Sequence, residues 1–272
     1  MRNIFKGDNW FLKAGIVITG IVLFFIVLGI FWTPYDSNLM DSAARLQAPC
    51  AAHPFGTDNF GRDIFSRVLE GARTSLFVAI CINLIGIFFG TSIGAVAGYY
   101  GGRFDTILMH ICDAIMAFPN VMLALVIIAA LGSGDANVVW VLGILFIPSY
   151  ARIVRSKFVQ EKSRNYVTLA RLMGASPGRI IVRHIIPNTK SVLLTAVTVG
   201  FNNAVLAEAS MSFLGVGVSA NKPSLGRMLM EAQSFLVNGA PWYAGFVGLA
   251  IVLLVLGLSL LGEGLQMEGR KK

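Results

Sequence analysis

Three histidines, His53, His110 and His184, and three cysteines, Cys50, Cys81 and Cys112, are the side chains of this 272-residue chain best suited to chemistry. None falls at metal-ligand or redox spacing. The histidines fall one per segment, and an odd, widely spaced set of cysteines makes neither a disulfide framework nor a zinc site. Gly56-x4-Gly61-Arg62 is only superficially like a phosphate-cradling loop, because the lysine that would reach the phosphates is missing. The expectation is therefore no catalytic residue, no metal, no cofactor and no nucleotide hydrolysis by this chain. The informative polar residues lie in apolar surroundings: Asp113, Asn202, Asn203 and Glu208. A carboxylate at mid-bilayer costs about 3 kcal/mol on insertion scales unless it meets water or a partner. These four are candidates to line or gate a pathway, or else to bond neighbouring helices. A fifth feature is the basic, turn-broken stretch ARLMGASPGRIIVRHIIPN, residues 170–188.

The elements that must hold these residues follow from composition. Apolar residues make up 56% and charged residues 13%; soluble domains carry about 25% charged residues, so this is a membrane protein. The net charge of +8 fits basic loops on one membrane side rather than nucleic-acid binding. Charge-poor runs near the length of roughly 20 residues that a bilayer core requires predict an all-α, polytopic protein with six transmembrane helices. They lie at about 12–32, 75–99, 107–131, 137–154, 191–214 and 242–262. The whole chain, 1–272, reads as one transmembrane domain: an N-terminal helix 12–32, an outer loop 33–74 and core helices 75–262. The first run is too long for a signal-peptide core, and WTPYDS offers no small-x-small cleavage site. LQAPC is likewise no lipoprotein site, since proline precedes the cysteine.

Of the 22 Lys and Arg residues, only Arg45, Arg62, Arg67, Arg73, Lys222 and Arg227 fall on one side of such a topology. The excess on the other side predicts that both termini and the segment 155–190 face the cytoplasm. Within that segment, 157–173 is expected to form a helix with Tyr166, Leu169, Leu172 and Met173 on one face. Gly174 would end it, Ser176 would cap a second helix with Pro177 at its first position, and Pro187 would stop that helix. From spacing alone, this is either a coupling surface for a partner or a solvated loop with snorkelling arginines.

Gly86, Gly90, Gly94 and Gly98 recur every four residues and predict a groove for close helix packing. Phe118-Pro119 predicts a kink in the third span. Residues 61–73, GRDIFSRVLEGAR, read as an amphipathic element lying along the outer membrane surface.

The basic stretch resembles the cytoplasmic "EAA" loop of bacterial ABC importer permeases: Glu-Ala-Ala, three residues, Gly, nine residues, then Ile-x-Leu-Pro. Thr168-Leu169-Ala170 take the first positions, and Gly174 and Pro187 keep the spacing. Thr168 stands for the glutamate and Leu169 for the first alanine. HPFGTDNFGRDIFSRVLEGARTSL (53–76), GGRFDTILMHICDAIMAFP (101–119), EASMSFLGVGV (208–218) and PSLGRMLMEAQSFL (223–236) resemble the dipeptide/oligopeptide/nickel family, specifically its C-type subunit. The tail LLGEGLQMEGRKK lacks the Arg-Asp and Asp-Pro residues common there.

That resemblance implies a type I ABC importer permease-like fold in the bacterial inner membrane, with both termini cytoplasmic. It implies a second permease subunit, two cytosolic ATPase subunits and an extracytoplasmic substrate-binding protein as partners, with no nucleic acid. It places ATPase coupling on Tyr166, Thr168, Leu169, Ala170, Leu172, Met173 and Gly174. Loss of the glutamate removes one exposed ion pair, worth about 0–1 kcal/mol, so docking survives it. Di- or oligopeptides are the expected cargo, with nickel or a metallophore as alternatives. A self-sufficient secondary transporter or channel would require inverted halves, and no repeat links 1–135 to 136–272. A purely structural membrane protein would have no use for the coupling stretch.

Overall fold

The computed structural model describes residues 9–219, 221–237 and 239–270. Arg2, Lys6, Lys271 and Lys272, which contribute to the charge asymmetry, lie outside them. Among the described residues eleven α-helical segments follow one another: α1 (Trp10–Phe31), α2 (Ile64–Tyr100), α3 (Gly102–Met116), α4 (Asn120–Leu131), α5 (Asp135–Lys162), α6 (Asn165–Leu172), α7 (Pro177–Arg179), α8 (Ile186–Asn188), α9 (Lys190–Phe213), α10 (Leu225–Gln233) and α11 (Pro241–Arg270). A π-helical turn, Ile180–Ile185, joins α7 to α8. Five helices, α1, α2, α5, α9 and α11, are long and apolar enough to cross a membrane. The pair α3 and α4 makes a sixth span only if counted together, because it bends by 83°.

That bend is sharper than the expected kink. Pro119 carries no N–H and disfavours helical geometry at Phe118. The helix therefore stops at Met116, and α4 starts afresh with Pro119 as its N-cap residue.

The second span is also longer than hydropathy suggests. Its 37 residues begin at Ile64, where the Asp63 side chain caps the Ser66 N–H at 2.8 Å. Residues 64–73 are therefore not a surface-lying element; they are the first turns of α2, and Ile64, Ser66, Arg67, Val68, Leu69, Gly71 and Ala72 are buried. Buried arginine is tolerated there because it is paired. Arg67 donates to Glu231 of α10 at 3.0 Å, and Arg62 bonds Asp58 at 2.7 Å and Glu231 at 3.2 Å. The Tyr243 hydroxyl donates to the same Glu231 at 3.1 Å, tying in α11.

Helices α2 and α5 form the spine, and the glycine stripe explains how. A Cβ on Gly98 would meet Phe158 Cβ at 2.6 Å, and one on Gly90 would meet the Ile147 carbonyl at 2.8 Å and collide with Tyr150. Only hydrogen at these positions lets the two backbones approach this closely. Helix α1 packs on α11 instead, with the Asn9 amide donating to the Gly264 carbonyl at 2.8 Å. One apolar core, including Ile82, Leu142, Phe146, Ala204, Met211 and Tyr243, fills the bundle. A second, smaller one, with Tyr99, Val154, Phe158, Val167, Ile180 and Ile185, sits under the basic end.

Candidate functional site

At that basic end the expected long helix 157–173 is broken. α5 stops at Lys162, Ser163 and Arg164 leave helical register, and α6 restarts at Asn165. Glu161, buried at the break, organises the turn. Lys157 Nζ lies 2.8 Å from it, Arg164 Nε 3.9 Å away, and the Tyr166 hydroxyl donates to it at 2.9 Å. Burial, and then the bond to Glu161, push the Tyr166 phenol up, so it remains a donor.

Tyr166 therefore does not share the exposed face assigned to it from spacing; it is half-buried and turned to Glu161. The exposed knob consists of Leu169, Leu172 and Met173, at 59%, 79% and 86% exposure. Thr168 is exposed beside them, whereas Ala170, with Val167, is buried against the smaller core.

Gly174 ends α6 as expected. Its φ is +79°. The Gly174 N–H donates to the Arg171 carbonyl and the Ala175 N–H to the Ala170 carbonyl, both at 3.0 Å, which is the Schellman pattern that favours glycine at this position. Ser176 caps the next helix at the Arg179 N–H and Pro177 opens it. Pro187 does not stop that helix: the chain runs through the π turn into α8, ending at Asn188. The wider turn re-routes the backbone bonds that a proline would interrupt in a regular α-helix.

Helices α4, α5, α9 and α11 line an open cavity of about 720 Å³ that runs along α9 from Ser191 to Ser210. Phe146, Ser149, Tyr150, Thr195, Val199 and Asn203 are among its lining residues. Tyr150 is fixed from behind, where its hydroxyl hydrogen-bonds Asn83 of α2.

Of the four intramembrane polar candidates, only Asn203 lines this cavity. Asn202 points away and donates to Ser259 of α11 at 2.8 Å. Asp113 is exposed and pairs with Arg152 at 2.5 Å, tying α3 to α5. Glu208 is fully buried behind α9 and accepts from Ser212 at 2.7 Å. Among the described residues no group of histidines, cysteines and carboxylates is arranged to hold a metal ion.

The bundle thus carries an apolar knob on a capped turn at one end and a lined cavity between its helices. Residues 86–266 match the family model described as "Binding-protein-dependent transport system inner membrane component". The chain belongs to that family.

Similarity to individual members extends over most of the sequence. The dipeptide transport system permease protein DppC of Alkalihalophilus pseudofirmus is 38% identical over 259 residues, 93% of this chain and 85% of that protein. The glutathione transport system permease protein GsiD of Pectobacterium atrosepticum is 42% identical over 255 residues, covering 92% and 84%. Among solved structures, an inward-facing MetNI methionine ABC transporter chain shares the fold, with a TM-score of 0.62, 19% identity, and coverage of 74% of this chain and 95% of that one. The chain is thus an integral inner-membrane permease subunit of an ABC transport system. Its helical fold is that of an ABC importer permease.

Sequence reading missed Glu161 and the ion pair of Asp105 with Arg155, whose Nη2 donates to Asp105 at 2.6 Å. Glu161 and Arg155 lie on α5 and Asp105 on α3, so the ion pair ties those two helices together near the basic end. The available signal was spacing: Lys157 and Glu161 lie one helical turn apart, the register of a helix-stabilising pair.

Proposed function

We propose that this permease carries di- or oligopeptides inward, driven by ATP that separate cytosolic subunits hydrolyse. The full-length similarity to dipeptide and glutathione permeases carries the reading. In this scheme a second permease subunit completes the pathway whose half-lining is the Tyr150 and Asn203 cavity. The Leu169, Leu172 and Met173 knob enters one of the two ATPase subunits, with Gly174 holding its angle. Asp113, Asn202 and Glu208 support the pathway helices rather than meet the cargo. Both termini and residues 155–190 are cytoplasmic, and a substrate-binding protein docks at the opposite end.

Two measurements test this. Labelling in whole cells with an impermeant maleimide should leave Ser163→Cys unmodified until the membrane is permeabilised; reaction from outside overturns the orientation. Vesicles containing the complete transporter and its binding protein should accumulate labelled dipeptides only with ATP. Uptake of nickel or a metallophore but no peptide would move the cargo assignment, and ATP-independent uptake would move the class.

A further inference from the structure

Asn83 of α2 joins three helices through one amide. Its nitrogen donates to the Val197 carbonyl of α9 at 3.1 Å, and its oxygen accepts from the Tyr150 hydroxyl of α5. Both side chains are buried. The orientation of the amide is forced. A backbone carbonyl can only accept, so the nitrogen must face Val197 and the oxygen must face Tyr150. The phenol is therefore the donor, and its proton goes to α2 rather than to the cavity that Tyr150 lines. Gly86 and Gly90 pack against the Tyr150 side chain, and Gly200 of α9 leaves room for its hydroxyl, which a Cβ there would overlap. Among the described residues that line the cavity none is charged, and Asn83 is not one of them.

We propose that Asn83 is a positioning residue that sets the bore of the cavity, by keeping the Tyr150 phenol seated between α2 and α9. This rests on the reading above that the cavity is part of the peptide pathway. Without Asn83 the phenol would be a buried donor with no acceptor, which is costly inside a membrane. The cavity is the side on which water can take its proton. The phenol then swings inward and narrows the passage. With no charged side chain in the lining, this wall discriminates cargo by bulk rather than by charge.

The test uses the assembled transporter in vesicles, with its binding protein and ATP. The first readout is the ratio of diphenylalanine to dialanine uptake. Asn83→Leu keeps the volume and removes the acceptor. It should lower that ratio about tenfold, the factor equivalent to about 1.4 kcal/mol for one unmade bond. The double variant Asn83→Leu/Tyr150→Phe should recover most of the ratio, because two apolar groups facing each other leave no donor unmet. A bond that served only stability would predict no such recovery. The second readout needs no cargo. It is the rate at which a water-soluble maleimide modifies Asn203→Cys in the cavity, with Cys50, Cys81 and Cys112 replaced by serine. That rate should fall severalfold in Asn83→Leu and return in the double variant. If Asn83→Leu does not assemble, Asn83→Ser, too short to reach both partners, takes its place. A lowered ratio and slower labelling, both reversed in the double variant, support the proposal. An unchanged ratio, or a double variant no better than the single one, overturns it. Wild-type vesicles that accumulate neither dipeptide overturn the functional reading, and the labelling alone then decides whether Asn83 sets the bore.

Discussion

Tyr166 donates its hydroxyl to Glu161 at 2.9 Å, so the first turn of α6 is bonded back across the break that separates it from α5. The knob can then turn only with the end of α5. Tyr166→Phe removes a bond to a carboxylate worth about 1.5 kcal/mol. We expect the complex to assemble, with transport per ATP hydrolysed falling severalfold. Simultaneous uptake and phosphate-release measurements check this; an unchanged ratio would refute the role of the bond.

Gly174 has open space around its Cβ position, so its constraint is the backbone alone. At φ +79° an alanine costs about 1 kcal/mol and a β-branched residue more. Gly174→Val should therefore uncouple hydrolysis from uptake, with Gly174→Ala intermediate. Normal uptake by the valine variant at normal expression would show that the turn angle is unimportant.

The glycine stripe predicts a contrast. Gly90→Ala forces a methyl into Tyr150 and the Ile147 carbonyl, and overpacking of this kind costs about 1–3 kcal/mol. Gly20→Ala on α1 meets nothing and should be neutral or stabilising by up to about 1 kcal/mol. Thermal unfolding in detergent separates the two; equal melting temperatures would remove the packing argument.

Neighbouring asparagines should behave differently. Asn203→Trp fills space in the cavity and should reduce uptake while the complex stays as stable as wild type. Asn202→Ala loses the bond to Ser259 and should cost about 1 kcal/mol in stability with cargo affinity intact. Altered cargo affinity in Asn202→Ala alone would reverse the assignment.

The features legible in the sequence were those a single residue type determines locally. Gly174 fixes a left-handed turn, Ser176 with Pro177 a helix start, and the four spaced glycines a close-packed face. Arg62 and Arg67 misled for the opposite reason. Hydropathy treats a charge as exposed, and what buries these two is Asp58, nearby in the chain, and Glu231, more than 160 residues away. Tyr166 misled because α6 does hold it in register with Leu169, but it sits in the first turn, where Glu161, brought alongside by the break at Ser163, accepts its hydroxyl. Proline effects were legible in kind rather than degree. Pro119 broke its helix outright, whereas the wider π turn before Pro187 absorbed the disruption.

Tyr150 meets the cavity, which Gly200 also lines, on one side and is packed by Gly86 and Gly90 of α2 on the other, with Gly200 against its hydroxyl. A genetic selection for altered cargo range would therefore return more than cavity residues. Substitutions at these glycines on α2 and α9 would push the phenol inward and emerge as specificity mutants, and their suppressors would be smaller side chains at position 150.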